Sequence, residues 1–341
     1  MAETEKYIYG IINSNEALYF GSFGTTACEE VYTIPYQDIS VVVSNSEMVD
    51  YTILPKDAVV RHLFKHQQVI EKVMEGFTVI PMRLGTFAYD EDEVRYILAK
   101  AYLMVKDIFN KISDKIEIDV VATWGDFDSV LKVIGEEKEI KGFRESLLTN
   151  PKEITVDNQM KVGAMVKNHL YKKREKYTLE IQTSLSKIIQ GIKVHELMND
   201  EMVLNTAFLI NKTKQKEFDK KIEELNTKFN NELNFRCVGP LPPYSFYTLE
   251  IKKWQFEEID WARRKLGLQN NFATKDEIKK AHQTMAFTFH PDKNPNTSGI
   301  EREFDEITKA YKFLWEYCEG DSCSFSEEEF KKNAILVKVR D

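Results

Sequence analysis

The sequence predicts an α+β protein: two successive α/β units, each a small sheet covered by helices, followed by an all-α helical hairpin. Three observations predict it. Short β-branched runs alternate with amphipathic stretches through most of the chain, the pattern of helices layered on sheets. Near the C-terminus, Ile278, Ala281, Met285 and Phe289 form one helix-spaced apolar stripe and Phe304, Ile307, Tyr311 and Leu314 a second, with a polar turn between them. A chain of 341 residues also exceeds one ordinary core and implies two or three domains. The expected divisions are residues 1–124, 125–252, 253–320 and a tail over 321–341.

In the first unit, Tyr7 to Ile12, Leu18 to Phe23 and the β-branched run Ile39 to Ser44 read as strands. Pro55 stands where a first helical turn tolerates it, and the helix that follows has Val59, Leu63, Phe64, Val69, Ile70, Val73 and Met74 as its inward side before Gly76. Thr78 to Leu84 returns as a strand that Pro81 confines to an edge or an end of pairing. Asp90 to Glu93 then open a helix against its positive N-terminal dipole, with Val94, Ile97, Leu98, Ala101, Tyr102, Val105, Ile108 and Phe109 as its stripe. Ile116 to Val121 is expected to close this unit as a strand.

The second unit begins with loosely patterned helical text broken at Gly135, Gly142 and Asn150-Pro151, then a long helix from about Asp157 to Gln190. Met202 to Ile210 reads as a strand, Lys214 to Leu233 as a helix with Phe218, Ile222, Leu225 and Phe229 inward, and Phe235 to Val238 as a strand. The prolines of Gly239-Pro240-Leu241-Pro242-Pro243-Tyr244-Ser245-Phe246 remove three N–H donors, so this run is a rigid extended exit from the sheet and not a central strand. Taken locally, it reads either as a ligand for a proline-reading module or as a structural turn. After the hairpin, Ser324 or Ser326 caps a short helix through Glu327 to Glu329, and Ala334 to Val339 is expected to return as a strand to one of the earlier sheets. Addition to a partner's sheet edge is the other reading of that tail.

Between the two C-terminal stripes lie His290-Pro291-Asp292-Lys293-Asn294. Pro291 ends the first helix and biases His290 away from helical geometry, and Asn294 to Gly299 turns the chain. From about Glu257 to Glu319, with Trp261 to Leu268, Asp276 to Phe289 and Phe304 to Leu314 as its helices, this stretch resembles a J-domain, the module by which co-chaperones stimulate the ATPase of DnaK-type chaperones. The resemblance implies chaperone contact through His290, Pro291 and Asp292, with Lys279 and Lys280 as basic companions. One departure stands out. Between Lys280 and Lys293 there is no Lys or Arg, and Gln283, Thr284 and Thr288 occupy positions where such modules carry basic residues, so electrostatic hold on an acidic partner is reduced.

The body carries its own resemblance. Tyr7 to Ile11, Val41 to Ser44, His66 to Glu71, Thr78 to Phe87, Asn205 to Ile210, the helix containing Phe218 and then Val238 to Phe246 follow, in order and spacing, the blocks of the gas vesicle protein F/L family over about Lys6 to Glu250. Leu241 stands in place of a Trp and Leu84 in place of a Phe, both apolar exchanges. The resemblance implies an accessory factor in building gas vesicles, the air-filled protein shells that give cells buoyancy. Its partners would be the very apolar shell subunit and other gas vesicle accessory proteins. Such a subunit aggregates if its apolar surface stays exposed, so a binding partner that keeps it soluble meets a physical need. Arg83, Tyr244 and Phe246 are the candidate residues for shell-subunit contact, Tyr244 and Phe246 reading equally as exposed anchors or as core packing. Two other readings accompany this one: a minor structural component of the shell, and a general J-type co-chaperone.

Composition excludes several function classes. A formal net charge of -8 argues against nucleic acid as the main partner. Basic clusters at Lys172 to Lys176 and Lys212 to Lys221 sit among acids as solvated helix faces. The charged start Met1 to Lys6 has no signal-peptide core behind it and no run approaches the ~20 apolar residues of a membrane span, so the expected location is the cytoplasm, with no membrane partner. Cys28, Cys237, Cys318 and Cys323 are few and scattered, as suits a reducing compartment, and lack the companions of a zinc site. His62 and His66 share a helical face but have no acidic partner at ligand spacing. No phosphate-cradling glycine loop or nucleophile elbow occurs, so neither a metal, a cofactor nor a catalytic residue is expected.

Overall fold

The computed structural model describes residues 5–23, 30–150, 154–295 and 297–340. Cys28, Pro151, Asn296 and the start Met1 to Thr4 lie outside the described residues. The chain divides into two compact units, residues 1–91 with 102–248 and residues 92–101 with 249–341.

The larger unit contains two antiparallel sheets. In the first, β1 (Glu5–Ile12), β2 (Tyr19–Ser22), β3 (Glu30–Tyr36) and β4 (Ile39–Ser46) are joined by β5 (Val79–Pro81) in the order β2-β3-β4-β1-β5, and β6 (Phe87–Ala88) also pairs with β1. Between β4 and β5 runs α1 (Lys56–Met74), with Pro55 at its N-cap. Val69, Ile70 and Val73 of its second half join Tyr7, Tyr9, Ile12 and Val42 in one core cluster. The first half departs from expectation: Leu63 and Phe64, predicted inward, are 49% and 63% exposed. Pro81 pairs at the edge of the sheet, as its missing N–H requires, which shortens the expected strand to three residues.

Helix α2 (Glu91–Ile112) buries its predicted stripe, Val94, Ile97, Leu98, Ala101, Val105, Ile108 and Phe109. Tyr102 instead faces outward and donates to Asp38 at 2.8 Å. The strand expected to close the first unit, β7 (Lys115–Trp124), sits in the second sheet. After α3 (Phe127–Gly135), α4 (Lys138–Thr149) and α5 (Val156–Leu185) come β8 (Ile189–Val194), β9 (Met202–Asn211), α6 (Gln215–Phe229) and β10 (Leu233–Leu241), giving the order β10-β7-β9-β8. Alternation explains the placement: Ile116, Ile118, Val120, Ala122 and Trp124 face one core with Ile181 and Leu185 of α5 and Phe218, Ile222, Leu225 and Phe229 of α6. Gly142, expected to break the chain, lies inside α4, and the long helix ends at Leu185 because Ile188, Ile189, Ile192 and Val194 carry strand-forming side chains. Pro240 lies inside the end of β10, an edge strand that runs on to Leu241, and the short helix α7 (Tyr244–Tyr247) follows.

The smaller unit holds β11 (Leu249–Lys253), α8 (Phe256–Lys265), β12 (Phe272–Thr274), α9 (Lys275–Thr288), α10 (Ile300–Tyr317), β13 (Ser322–Ser324), α11 (Glu327–Asn333) and β14 (Ile335–Val339). Ile259, Ala262, Ile278, Ile307, Ala310 and Leu314 make its helical core. Ser326 caps α11 by accepting from the Glu329 N–H. Two antiparallel ribbons, β11 with β14 and β12 with β13, accompany the helices. The tail strand therefore does not return to an earlier sheet. It pairs with β11 from Leu249↔Val339 to Lys253↔Ile335, a register that keeps Leu249, Ile335 and Leu336 buried.

Candidate functional site

The tip between α9 and α10 is built by local capping. Thr274 and Glu277 form a reciprocal capping box that starts α9. Lys265 of α8 reaches Glu303 at 2.8 Å and Glu306 at 2.7 Å, tying α8 to α10. Helix α9 ends at Thr288, and His290 caps a single 3-10 turn over Pro291–Lys293. Its Nδ1 accepts from the Asp292 N–H at 3.2 Å, its ring meets Phe304 edge-on at 5.4 Å, and Asn294 Nδ2 donates to the carbonyls of Thr288 and His290. The loop is thus braced from within while the Asp292 side chain remains 89% exposed. Lys279 and Lys280 are exposed on α9, and Phe287, 68% exposed, lies under the Lys293 ammonium. The tip can present a carboxylate, an imidazole edge and one aromatic face to a partner. The polar stretch Gln283, Thr284 and Thr288 supplies no cation between them.

The body residues separate into exposed and packed. Arg83 is exposed beside the turn at Gly85, where Thr86 Oγ1 donates to its carbonyl at 2.6 Å. Gly85 has a φ of +83°, and a Cβ there would lie 2.8 Å from the Tyr51 ring, so only glycine suits the turn. His62 and His66 do not pair as ligands. His62 meets the Tyr51 ring at 5.3 Å, whereas buried His66 has its Nδ1 2.8 Å from the Tyr7 hydroxyl. Burial holds the His66 imidazole down at about 4, against a partial rise from its hydrogen bond to the Met82 backbone. Among the described residues no group of three or more His, Cys, Asp or Glu could hold a metal ion, and no helix is long and apolar enough to cross a membrane. Tyr244 packs on the cluster of the first sheet with its hydroxyl buried, and Phe246 lies over Gly191, where a Cβ would come to 3.0 Å from its ring. Both aromatics are engaged in packing.

Between them, Ser245 reveals a polar clasp that the sequence reading missed. Its N–H and its hydroxyl both donate to Glu117 at 2.8 Å, and its Oγ lies 3.1 Å from His195 Nε2. Glu117 is buried and shares a face of β7 with Asp119, opposite the apolar face. The one legible signal was the alternation Ile116-Glu117-Ile118-Asp119, acids at strand register inside a core run. Burial pushes the Glu117 carboxyl up to about 7, the two Ser245 donors opposing the rise and Asp119 adding to it. Burial raises Asp119 as well, with the charge of His195 acting the other way.

Folded Glu117 keeps its proton up to about pH 7 whereas the unfolded chain releases it near 4.5, so the stability this group contributes is greatest below 4.5 and is lost as pH rises through 7. Glu117→Gln is expected to flatten that slope and to gain at most about 3 kcal/mol on the alkaline side. Thermal unfolding of both chains from about pH 5 to about pH 8 checks it. His66 acts oppositely, losing stability as pH falls from 6.5 through about 4, and cancels in the difference between the two chains. An unchanged slope in the variant would show that Glu117 does not govern it.

The family model described as gas vesicle synthesis protein GvpL/GvpF matches residues 5–248, both sheets and the Pro-rich turn with them. The chain belongs to the GvpL/GvpF family. A DnaJ domain model matches residues 264–317, which takes in α9, the His290-Pro291-Asp292 tip and α10. The gas vesicle protein F of Dolichospermum flosaquae is 24% identical over 193 residues, covering 56% of this chain and 78% of that one. The crystal structure of GvpF from Anabaena sp. PCC7120 superposes with a TM-score of 0.62 at 20% identity, over 72% of this chain and 98% of that chain, so the two share a fold. In the J domain, the chaperone protein DnaJ of Chlorobium phaeobacteroides is 51% identical over 49 residues, 14% of this chain and 12% of that protein. This GvpL/GvpF body therefore continues into a J domain.

Proposed function

We propose that this chain is an accessory assembly factor for gas vesicles that acts by binding and not by catalysis. Its body captures the hydrophobic shell subunit and keeps it soluble, and its J domain recruits a DnaK-type chaperone to release or remodel that cargo. The observation that carries the reading is the joining, in one chain, of a GvpL/GvpF body over residues 5–248 to a J domain whose tip holds Asp292 in the open. A subunit with a broad apolar face aggregates unless something covers it, and a chaperone cycle supplies the energy for timed release. The cytoplasm, where subunit and chaperone meet, is the proposed location. Arg83 is the retained candidate for subunit contact in this body, since Tyr244 and Phe246 are packed.

The experiment mixes the purified full chain with freshly made shell subunit and measures how much subunit stays in the supernatant. Retention at a fixed ratio to this chain, and little retention of an unrelated unfolded client, is the expected outcome. Equal retention of both would favour a general co-chaperone, and no retention of subunit would overturn the proposal.

A further inference from the structure

Cys318 and Cys323 meet inside the core of the smaller unit. Cys318 is the C-cap of α10 and is fully buried, and Cys323 sits in the middle of β13, opposite Ala273 of β12, at 9% exposure. Both belong to the cluster that holds Ile278, Ile307, Leu314 and Tyr317. Their thiols form a relay: Cys323 donates to the Cys318 sulfur, and Cys318 Sγ donates to the Gly320 carbonyl at 3.5 Å. Two side chains joined in this way already face each other, as a disulfide requires.

Burial raises both thiols, so each stays protonated and slow to react while the core is closed. The cover over them is thin. Strand β13 has three residues and is held by a single ribbon to β12, which also has three, and Glu319 to Ser322 before it are exposed. A ribbon that short opens at small cost, which admits water and a small oxidant. Lys275, whose ammonium stands 3.4 Å from the Glu319 carbonyl, acts on both cysteines in favour of the thiolate.

We propose that Cys318 and Cys323 are a redox pair that hydrogen peroxide converts to a disulfide, stapling the end of α10 to β13. One sulfur attacks the peroxide O–O bond, releasing water and becoming a sulfenic acid; the other displaces a second water from that sulfur as the S–S bond forms. The peroxide takes up two electrons and the two thiol protons leave in the waters. A dithiol reverses the step by exchange, as suits a transient bond in a reducing compartment. Thr274, which caps α9, pairs with Ser322 beside Cys323, so the staple ties the end of α10 to the ribbon that starts α9. Both helices are then fixed at the ends away from the His290–Asp292 tip, and the unfolded chain is restricted over residues 318–323. The pair acts through its own sulfurs, so it stands or fails apart from shell-subunit binding.

The full chain would be treated with hydrogen peroxide while folded, alkylated, cut with trypsin and weighed. Both cysteines fall in one peptide, residues 313–331, which contains no other cysteine, so the native chain serves and no variant has to fold. That peptide is expected to lose two hydrogens and to regain them after treatment with dithiothreitol. Thermal unfolding followed by tryptophan fluorescence, with Trp254, Trp261 and Trp315 all in the smaller unit, is expected to shift up by about 5 °C on oxidation. Cys318→Ser, or Cys323→Ala if the first variant unfolds, is expected to abolish the shift. Two alkylated thiols after peroxide, or cysteines that gain oxygen without losing hydrogen, would overturn the redox pair. An equal shift in a folded variant, or none in the oxidised native chain, would overturn the staple.

Discussion

His290→Gln and Asp292→Asn are each expected to lower gas vesicle yield about tenfold while leaving the protein folded. A contact worth about 1.4 kcal/mol already changes an equilibrium tenfold, and a charged tip group meeting a partner is in that range. The fold is spared because the Asp292 side chain is 89% exposed and the His290 side chain 43% exposed, with the His290 ring accepting the Asp292 N–H of its own turn. The brace that holds the loop comes from Asn294, which neither change removes. With Lys279 and Lys280 as the exposed cations of α9 and none between Lys280 and Lys293, little else on that helix can compensate for loss of the tip. Vesicle yield in cells lacking the native chain, scored beside circular dichroism of each variant, is the measurement. Normal yield from both would remove chaperone recruitment from the account and leave subunit binding untouched.

Gly125→Ala is expected to destabilise the body by about 3 kcal/mol or more, the range of a steric change that the backbone itself must absorb. A Cβ at this position would lie 1.7 Å from the Asn231 carbonyl oxygen and 2.8 Å from its carbon. No rotamer relieves that contact. Gly125 also donates its N–H to the Glu232 carbonyl at 2.9 Å, at the place where β7 gives way to α3 and the chain enters β10. Separating the two strands there would open the core around Trp124, Leu233 and Phe229. Gly142→Ala is the matched control: it sits inside α4 with nothing within 4 Å of the new Cβ, and is expected to gain about 0.5–1 kcal/mol from helix propensity. Chemical denaturation of both variants distinguishes a local steric effect from a general intolerance of alanine, and a mild Gly125→Ala would contradict the close approach.

The J domain was the most legible part of the chain, because each of its determinants is local. The Pro291 stop and the stripes from Ile278 to Leu314 act within a few residues of themselves. The body's blocks were readable for the same reason. Pairing between distant strands was not. Nothing near Ile116–Val121 states that its neighbours are β9 and β10, drawn from the region after Met202, and its closeness in sequence to α2 pointed the wrong way. The Glu117–Ser245 clasp joins residues 128 apart, and a buried carboxylate looks like any acid until its partners are placed. The first half of α1 misled for a related reason, since an apolar stripe records that a face is to be covered but not by what.

The central claim, that this chain handles shell subunit during assembly and is not built into the shell, is tested most directly by where it goes when vesicles mature. Cells making vesicles would be lysed, the floating vesicles washed, and this chain and the shell subunit quantified in the soluble and vesicle fractions. The account predicts a soluble complex of the two and loss of this chain from washed vesicles. A constant amount of this chain per vesicle, surviving the wash with no soluble complex, would contradict it.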